Sequence, residues 1–261
     1  MTQTECRSCV REPSATISVA RFLDRLDRCF ARNDLAEAAS CISYWEQEAR
    51  SLGDLKGLLT VINEQLGFYR RTGDRKAGLQ AVRKAVELVG QLGMGDTISG
   101  ATILVNAATT QKAFGEAREG LPLYEQAEGI YLAHQMEWSY EYAAMLNNQA
   151  AALCDLERYD EGETCYRKAI RILQREGAHD GEIAVSLVNL AHLTFDRDHT
   201  SYEQVEPLLD EAWEYINSKR QPHDGNYAFI LSKCAPSFEY FGRRMEAAAL
   251  REVAEEIYDG N

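Results

Sequence analysis

Met145-Leu-Asn-Asn-Gln-Ala-Ala-Ala-Leu153, followed by Tyr159-Asp-Glu-Gly162 and then Tyr166-Arg-Lys-Ala-Ile170, decides how this chain is read. Weaker versions of the same order run along most of the 261 residues. Placing Ala85, Ala127, Ala169, Ala212 and Ala254 in register superposes the segments before them at a spacing of about 42 residues, which is the period of a helical repeat array.

Seven residues before the anchor stands a small residue in four repeats: Gly78, Gly120, Gly162 and Ala247. Two helices approach closely only where a side chain is nearly absent, so a small residue at a fixed place implies a helical hairpin. Val82, Tyr124, Tyr166 and Leu209, three positions before the anchor, fill the seam beside it. The turns inside the hairpins fall at Gly73-Asp74, Gly115-Glu116, Glu157-Arg158 and Gly242-Arg243. Gly ends one helix in the left-handed conformation, and an acidic residue begins the next.

Six antiparallel hairpins follow, at roughly 16–52, 55–93, 95–136, 137–178, 179–220 and 223–259. They are expected to form one all-α repeat domain over 16–259, preceded by a mobile tail, 1–15, that lacks the periodicity. The first repeat is the most degenerate, with Glu46 at the expected anchor, and the fifth has a longer turn in Asp196-Arg-Asp-His-Thr-Ser201.

Composition agrees with helix throughout: 45% hydrophobic residues, five prolines, and an abundance of Ala, Leu, Glu and Arg. Apolar runs stop well short of the ~20 residues needed to span a membrane. The first ten residues lack the basic stretch and apolar core of a secretory signal, so a cytoplasmic protein is expected. Seven cysteines without regular spacing fit reduced, mostly buried thiols. A formal net charge of −13 argues against binding a phosphate backbone.

The pattern resembles the tetratricopeptide repeat, in the longer variant of kinesin light chains and of peptide-sensing receptors in Gram-positive bacteria. Leu146-Asn-Asn-Gln-Ala-Ala-Ala-Leu153 with Tyr159, Gly162, Tyr166 and Ala169 is the best copy. The resemblance covers nearly all of 16–259. It implies a right-handed α-solenoid whose first helices line a concave groove, and binding of peptides or proteins there. The helix-turn-helix module that precedes the array in many peptide-responsive regulators is missing from this sequence, which weakens a transcription-factor reading.

Within that groove the register brings Asn63, Asn106, Asn147 or Asn148, and Asn189 to nearly equivalent first-helix positions. An Asn side chain offers a donor and an acceptor, and so suits the N–H and C=O of an extended peptide whatever its side chains. The alternative is that each Asn bonds locally or between repeats. Asn disfavours helix interiors, so four such placements ask for a reason. Arg70, Lys112 and Lys233 share the register, with Arg21, Arg25, Arg28, Arg32 and Arg71, against Asp24, Glu64, Asp155, Asp196 and Glu239. A mildly positive face is expected, suited to an acidic peptide or a free carboxylate, although the arginines of the first repeat also read as one solvated helix face. His192, three residues after Asn189, lies on the same face, and Tyr140 is assigned to the groove rim. Trp45, Trp138, Tyr142 and Trp213 are expected in the core.

No metal or cofactor is expected. Cys6-Arg-Ser-Cys9 has no second ligand pair, the segment Gly93–Gly100 follows no strand, and Asp196-x-Asp198 has Ser201 where a calcium loop needs Gly. The five histidines assemble no acid, base and nucleophile set, so no enzyme is expected. The leading reading is a protein- or peptide-binding module. Its alternative is a sensor whose shape, on binding a peptide, controls a second protein. An end hairpin with an incompletely covered face also admits homodimerisation.

Overall fold

The computed structural model describes residues 15–218, 220 and 222–259. The expected N-terminal tail and its Cys6-Arg-Ser-Cys9 lie outside the described residues, apart from Ala15. Among the described residues the chain forms twelve α-helices and no strand. They pair in chain order: α1 Val19–Ala31 with α2 Leu35–Leu52, α3 Leu55–Thr72 with α4 Arg75–Gln91, and α5 Ile98–Ala113 with α6 Ala117–Ala133. The remaining pairs are α7 Tyr140–Asp155 with α8 Tyr159–Glu176, α9 Asp180–Arg197 with α10 Tyr202–Ile216, and α11 Gly225–Tyr240 with α12 Arg244–Asp259. The fold class is an all-α repeat solenoid of six helical hairpins. Its contacts divide into two compact units, Met1–His134 and Gln135–Asn261, each holding three hairpins.

All five anchor alanines are buried, as are Val82, Tyr124, Tyr166 and Leu209. Two of the small residues, Gly120 and Gly162, act as the crossing argument requires, whereas the space at Gly78 is taken by the Phe114 ring of the next hairpin. A Cβ on Gly120 would lie 3.0 Å from the Ala108 carbonyl oxygen, and one on Gly162 would lie 3.0 Å from Leu193 Cδ1 and 3.3 Å from the Ala150 carbonyl oxygen. Both hairpins therefore close backbone against backbone.

The first repeat needs a correction. Superposing the capping Asp34 of α2 on Asp74 of α4 aligns buried Ala38, Cys41, Ile42 and Ala49 with Gly78, Ala81, Val82 and Val89. The anchor position then belongs to Trp45, not Glu46. The Trp45 ring is half-buried and tilts against Phe22, with centroids 6.2 Å apart. Glu46 points instead into a polar seam, accepting from Gln65 Nε2 at 2.5 Å and Arg50 Nη2 at 2.7 Å, with Lys84 Nζ at 3.4 Å. Burial pushes its carboxyl up, but these partners outweigh burial and hold it below the usual carboxylate range.

The hairpin turns share one geometry. Asn33, Gly73, Gly115, Glu157 and Gly242 all have positive φ. Closing bonds from the next N–H to the carbonyl five residues back recur at Glu116 to Gln111 (2.8 Å), Arg158 to Leu153 (2.9 Å) and Arg243 to Phe238 (2.8 Å). In the fifth hairpin no such residue is present. Asp198 is extended, its Oδ1 accepts from Thr200 N and Oγ1, and buried Ser201 donates its hydroxyl to the Thr194 carbonyl.

Within each unit, first helices touch one another: α3 packs on α5, and α9 packs on α11. The second helices make no comparable contact with each other. The first helices of these pairs thus lie closer to each other than their second helices do.

Two substitutions test this packing. Gly162→Val should lower stability by about 2 kcal/mol through overpacking at the crossing, read as a shift in urea midpoint with unchanged m-value. Glu157→Gly should raise stability by roughly 0.5–1 kcal/mol, because the left-handed conformation costs an L-residue more than Gly loses in chain entropy. An unchanged or lowered midpoint would contradict it.

Candidate functional site

In the N-terminal unit the predicted residues Asn63, Asn106 and Arg70 come together. Asn106 Nδ2 donates to Asn63 Oδ1 at 2.8 Å, and Asn63 Nδ2 donates to Glu64 Oε1 at 3.1 Å. Arg70 Nη1 donates to the Asn106 carbonyl at 3.3 Å and to Thr110 Oγ1 at 2.7 Å. The two asparagines are thus bonded across adjacent first helices. This is the inter-repeat bonding that the sequence left open as the alternative to ligand contact, and it uses one acceptor site of Asn63 and one N–H of Asn106, leaving each amide further capacity.

Arg70 and Glu64 carry charge in partly buried places. Burial lowers the Arg70 pKa, opposed by Tyr124 and Glu64, and among the described residues no carboxylate lies within ion-pair distance of its guanidinium. Burial raises the Glu64 pKa, with Asp27 adding to the rise, while the bond from Asn63 and the charge of Arg70 oppose it. Sequence reasoning counted Glu64 only among the acids of the face. Its cost of burial, visible only once α3 is packed, makes it a functional candidate. Lys112 is half-buried in the last turn of α5.

In the C-terminal unit, Asn147, Asn148 and Asn189 are half-buried on α7 and α9. Among the described residues, Asn147 Oδ1 is buried without a partner, and the side chains of Asn148 and Asn189 make no hydrogen bond. His192 does find partners: its Nε2 lies 2.9 Å from Ser237 Oγ on α11, and its ring sits 5.2 Å from Tyr240 and 4.8 Å from Phe241. Burial lowers the His192 pKa, with Asp196 opposing, so the ring is neutral at pH 7. Ser237, Tyr240 and Phe241 were missed as site residues, because their position follows from the α9–α11 contact and not from the repeat register.

Lys233 is exposed, with its ammonium 5.2 Å from the Phe229 ring centroid. Tyr140, 39% exposed at the start of α7, stacks on His179 at 4.8 Å and so sits at the inter-hairpin edge. Trp138 was expected in the core, yet it is 46% exposed, with the Arg175 guanidinium 4.1 Å from its ring. It precedes α7 and therefore escapes the helical register that suggested burial. Tyr142 is fully buried as expected, whereas Trp45 and Trp213 are only partly so.

The basic residues expected on the groove face are engaged unevenly. Arg25 and Arg32 pair with Glu37 at 3.2 and 3.5 Å, and Arg28 pairs with Asp24 at 2.5 Å, all on exposed side chains. These arginines form a solvated helix face. The units differ sharply in charge: residues 1–134 carry sixteen Lys and Arg against seventeen Asp and Glu, while residues 135–261 carry twelve against twenty-four. The acidity of the chain is concentrated in its C-terminal unit.

The raised Glu64 pKa fixes the sign of a pH effect. A carboxyl whose folded pKa exceeds its unfolded one favours the fold below the unfolded pKa, and that advantage is lost as pH rises through the folded pKa. Glu64→Gln keeps the acceptor for Asn63 but removes the buried charge. It should raise the thermal midpoint at pH 7 and leave it nearly unchanged near pH 4. Equal effects at both pH values would show that ionisation is not the cause.

Residues 141–212 match the tetratricopeptide repeat family model. No curated protein gives a significant sequence match. Among solved structures, BtubC (BKLC) from P. vanneervenii is similar with a TM-score of 0.59 at 18% identity, over 88% of this chain and 91% of that one. A kinesin-light-chain-type protein from Podosopora anserina with nearly identical TPR-like repeats gives 0.56 at 16% identity, over 76% of this chain and 94% of that one. A Rap protein complexed with Competence and Sporulation Factor gives 0.57 at 12% identity, over 92% and 77%. With the buried anchors, the glycine crossings and the six hairpins, these likenesses show a tetratricopeptide-type helical-repeat fold like that of the kinesin-light-chain-type structures, with the tetratricopeptide repeat itself matched over residues 141–212.

Proposed function

We propose that the protein is a non-enzymatic binding module that holds an extended peptide, or a segment of a partner protein, on the first-helix faces of its hairpins. The observation that carries this reading is the pair Asn148 and Asn189. They are half-buried, stand on adjacent first helices, and make no hydrogen bond among the described residues. Their amides are not among the buried unsatisfied groups and so remain open to solvent and to a ligand, while Asn as a poor helix former costs stability in mid-helix without return inside the fold. An extended backbone, with an N–H and a C=O at each residue, supplies the missing partners. Asn63 and Asn106 retain part of their bonding capacity in the N-terminal unit.

The Rap relative, solved with Competence and Sporulation Factor, supports ligand binding by this architecture. The five described cysteines are free thiols, which fits a reducing compartment such as the cytoplasm. No described helix is long and apolar enough to cross a membrane.

Selection of an mRNA-displayed library of unstructured peptides on the wild-type protein tests the reading. Selected peptides should bind the Asn148→Ala, Asn189→Ala double variant at least roughly tenfold more weakly, the loss of two or more hydrogen bonds of about 1 kcal/mol each. Thermal stability should hold or rise slightly, since Ala is the better helix former. Unchanged affinity, or affinity lost only in step with stability, would overturn the proposal.

A further inference from the structure

The amide row of the C-terminal unit runs directly into a cluster of rings. On α9, Asn189, His192 and Asp196 follow one another at helical spacing along one face. Beside them, Phe195 lies 5.3 Å from Tyr202 on α10, 5.9 Å from Tyr240 on α11 and 5.7 Å from Phe241, centroid to centroid. Two of these rings are turned to solvent: Tyr202 is 53% exposed and Tyr240 is 61% exposed. A cluster of this kind, built from three helices and left open on one side, exceeds what the helical seams need, because the hairpin cores are already closed by Leu209, Ala212, Phe238 and Ala247.

Among the charges around the rings, one carboxylate stands free. Asp196 is exposed and, among the described residues, has no ion-pair partner, while its field is felt at the His192 ring. Three of the nearby cations are engaged elsewhere, while Arg244, at the start of α12, is exposed and has no ion pair among the described residues. Arg197 bonds Asp160 and Glu163, Arg243 bonds Asp210 and Glu246, and Arg251 bonds Glu239. The unit as a whole carries twice as many acidic as basic residues. Aromatic faces attract cations through their quadrupole, and a carboxylate beside them adds direct attraction. Arginine satisfies both, since its planar guanidinium stacks on a ring while donating to a carboxylate.

From this arrangement we infer that the C-terminal unit takes a basic segment of a partner protein, with an arginine seated on Tyr240 against the Asp196 carboxylate and the following backbone running along Asn189. The inference rests on the binding reading given above and names the chemistry of its ligand. It also reverses, for this unit, the acidic ligand expected from sequence. A polyanionic ligand is disfavoured by the same field.

Fluorescence anisotropy with two labelled probes tests it: a twelve-residue peptide of four Gly-Ser-Arg repeats and its Gly-Ser-Glu counterpart. The arginine peptide should bind the full chain, weaken on raising NaCl from 50 to 500 mM, and weaken roughly tenfold in Asp196→Asn combined with Tyr240→Ala, the loss expected for one ring contact and one carboxylate contact together. Tyr240→Phe should retain binding because it keeps the ring. Glu214→Gln, which removes an equal charge from an exposed site on α10, should change affinity less than twofold. An arginine peptide that binds the double variant as well as wild type, or loses as much with Glu214→Gln, would reduce the effect to the overall charge and overturn the site. Failure of the arginine peptide to bind, or preference for the glutamate peptide, would overturn it outright. Library-selected peptides that still depend on Asn148 and Asn189 but contain no basic residues would leave the binding module intact and refute only its basic ligand.

Discussion

Backbone contact at the helix crossings is the constraint on which the rest depends. Where Gly120 meets the Ala108 carbonyl and Gly162 meets that of Ala150, the two helices of a hairpin are as close as covalent geometry allows. That closeness leaves the seam room for only one layer of large side chains, which Tyr124 and Tyr166 supply. It also sets which faces stay free. A first helix must bury one side against its own partner and another against the neighbouring hairpin, so only a narrow stripe remains for anything else. On α9 that stripe is Asn189, His192 and Asp196, and nearly every other residue of the helix between Ile183 and Thr194 is buried.

The fold was legible because the crossing constraint is written into residue size. Gly, Ala and aromatic residues at fixed offsets answer to close helix packing and to little else, and they recur often enough to set the register of five hairpins. The first hairpin escaped by one residue because Trp45 replaces the small anchor. A large ring there is accommodated by tilting against Phe22, a tertiary solution that no local pattern announces. Glu46, which looked like a broken anchor, is a seam residue tied to Gln65 and Lys84. Trp138 failed for a related reason: helical spacing was extended to a residue that precedes the helix.

The site was legible only in part. Register alone brought out the asparagines, since mid-helix Asn is unfavourable and its repetition stands out. It did not separate Asn63 and Asn106, which bond each other, from Asn148 and Asn189, which make no hydrogen bond among the described residues. That distinction depends on whether two first helices bring their amides within hydrogen-bonding reach, a matter of packing. Ser237, Tyr240 and Phe241 were invisible for the same reason. Counting the arginines near α1 likewise did not show that Asp24 pairs with Arg28 and that Glu37 is shared by Arg25 and Arg32.

The division of charge gives the two units unlike surfaces. In the N-terminal unit, where basic and acidic residues nearly balance, a partly buried Arg70 lacks a carboxylate and a partly buried Glu64 bears a costly charge. In the C-terminal unit acidic residues outnumber basic ones two to one, and a field of that sign acts at longer range than any single contact. A repeat array permits this difference because each hairpin needs only its crossing residues to fold. The residues of the free stripe are released from that duty, and neighbouring units therefore carry unlike surfaces on the same backbone.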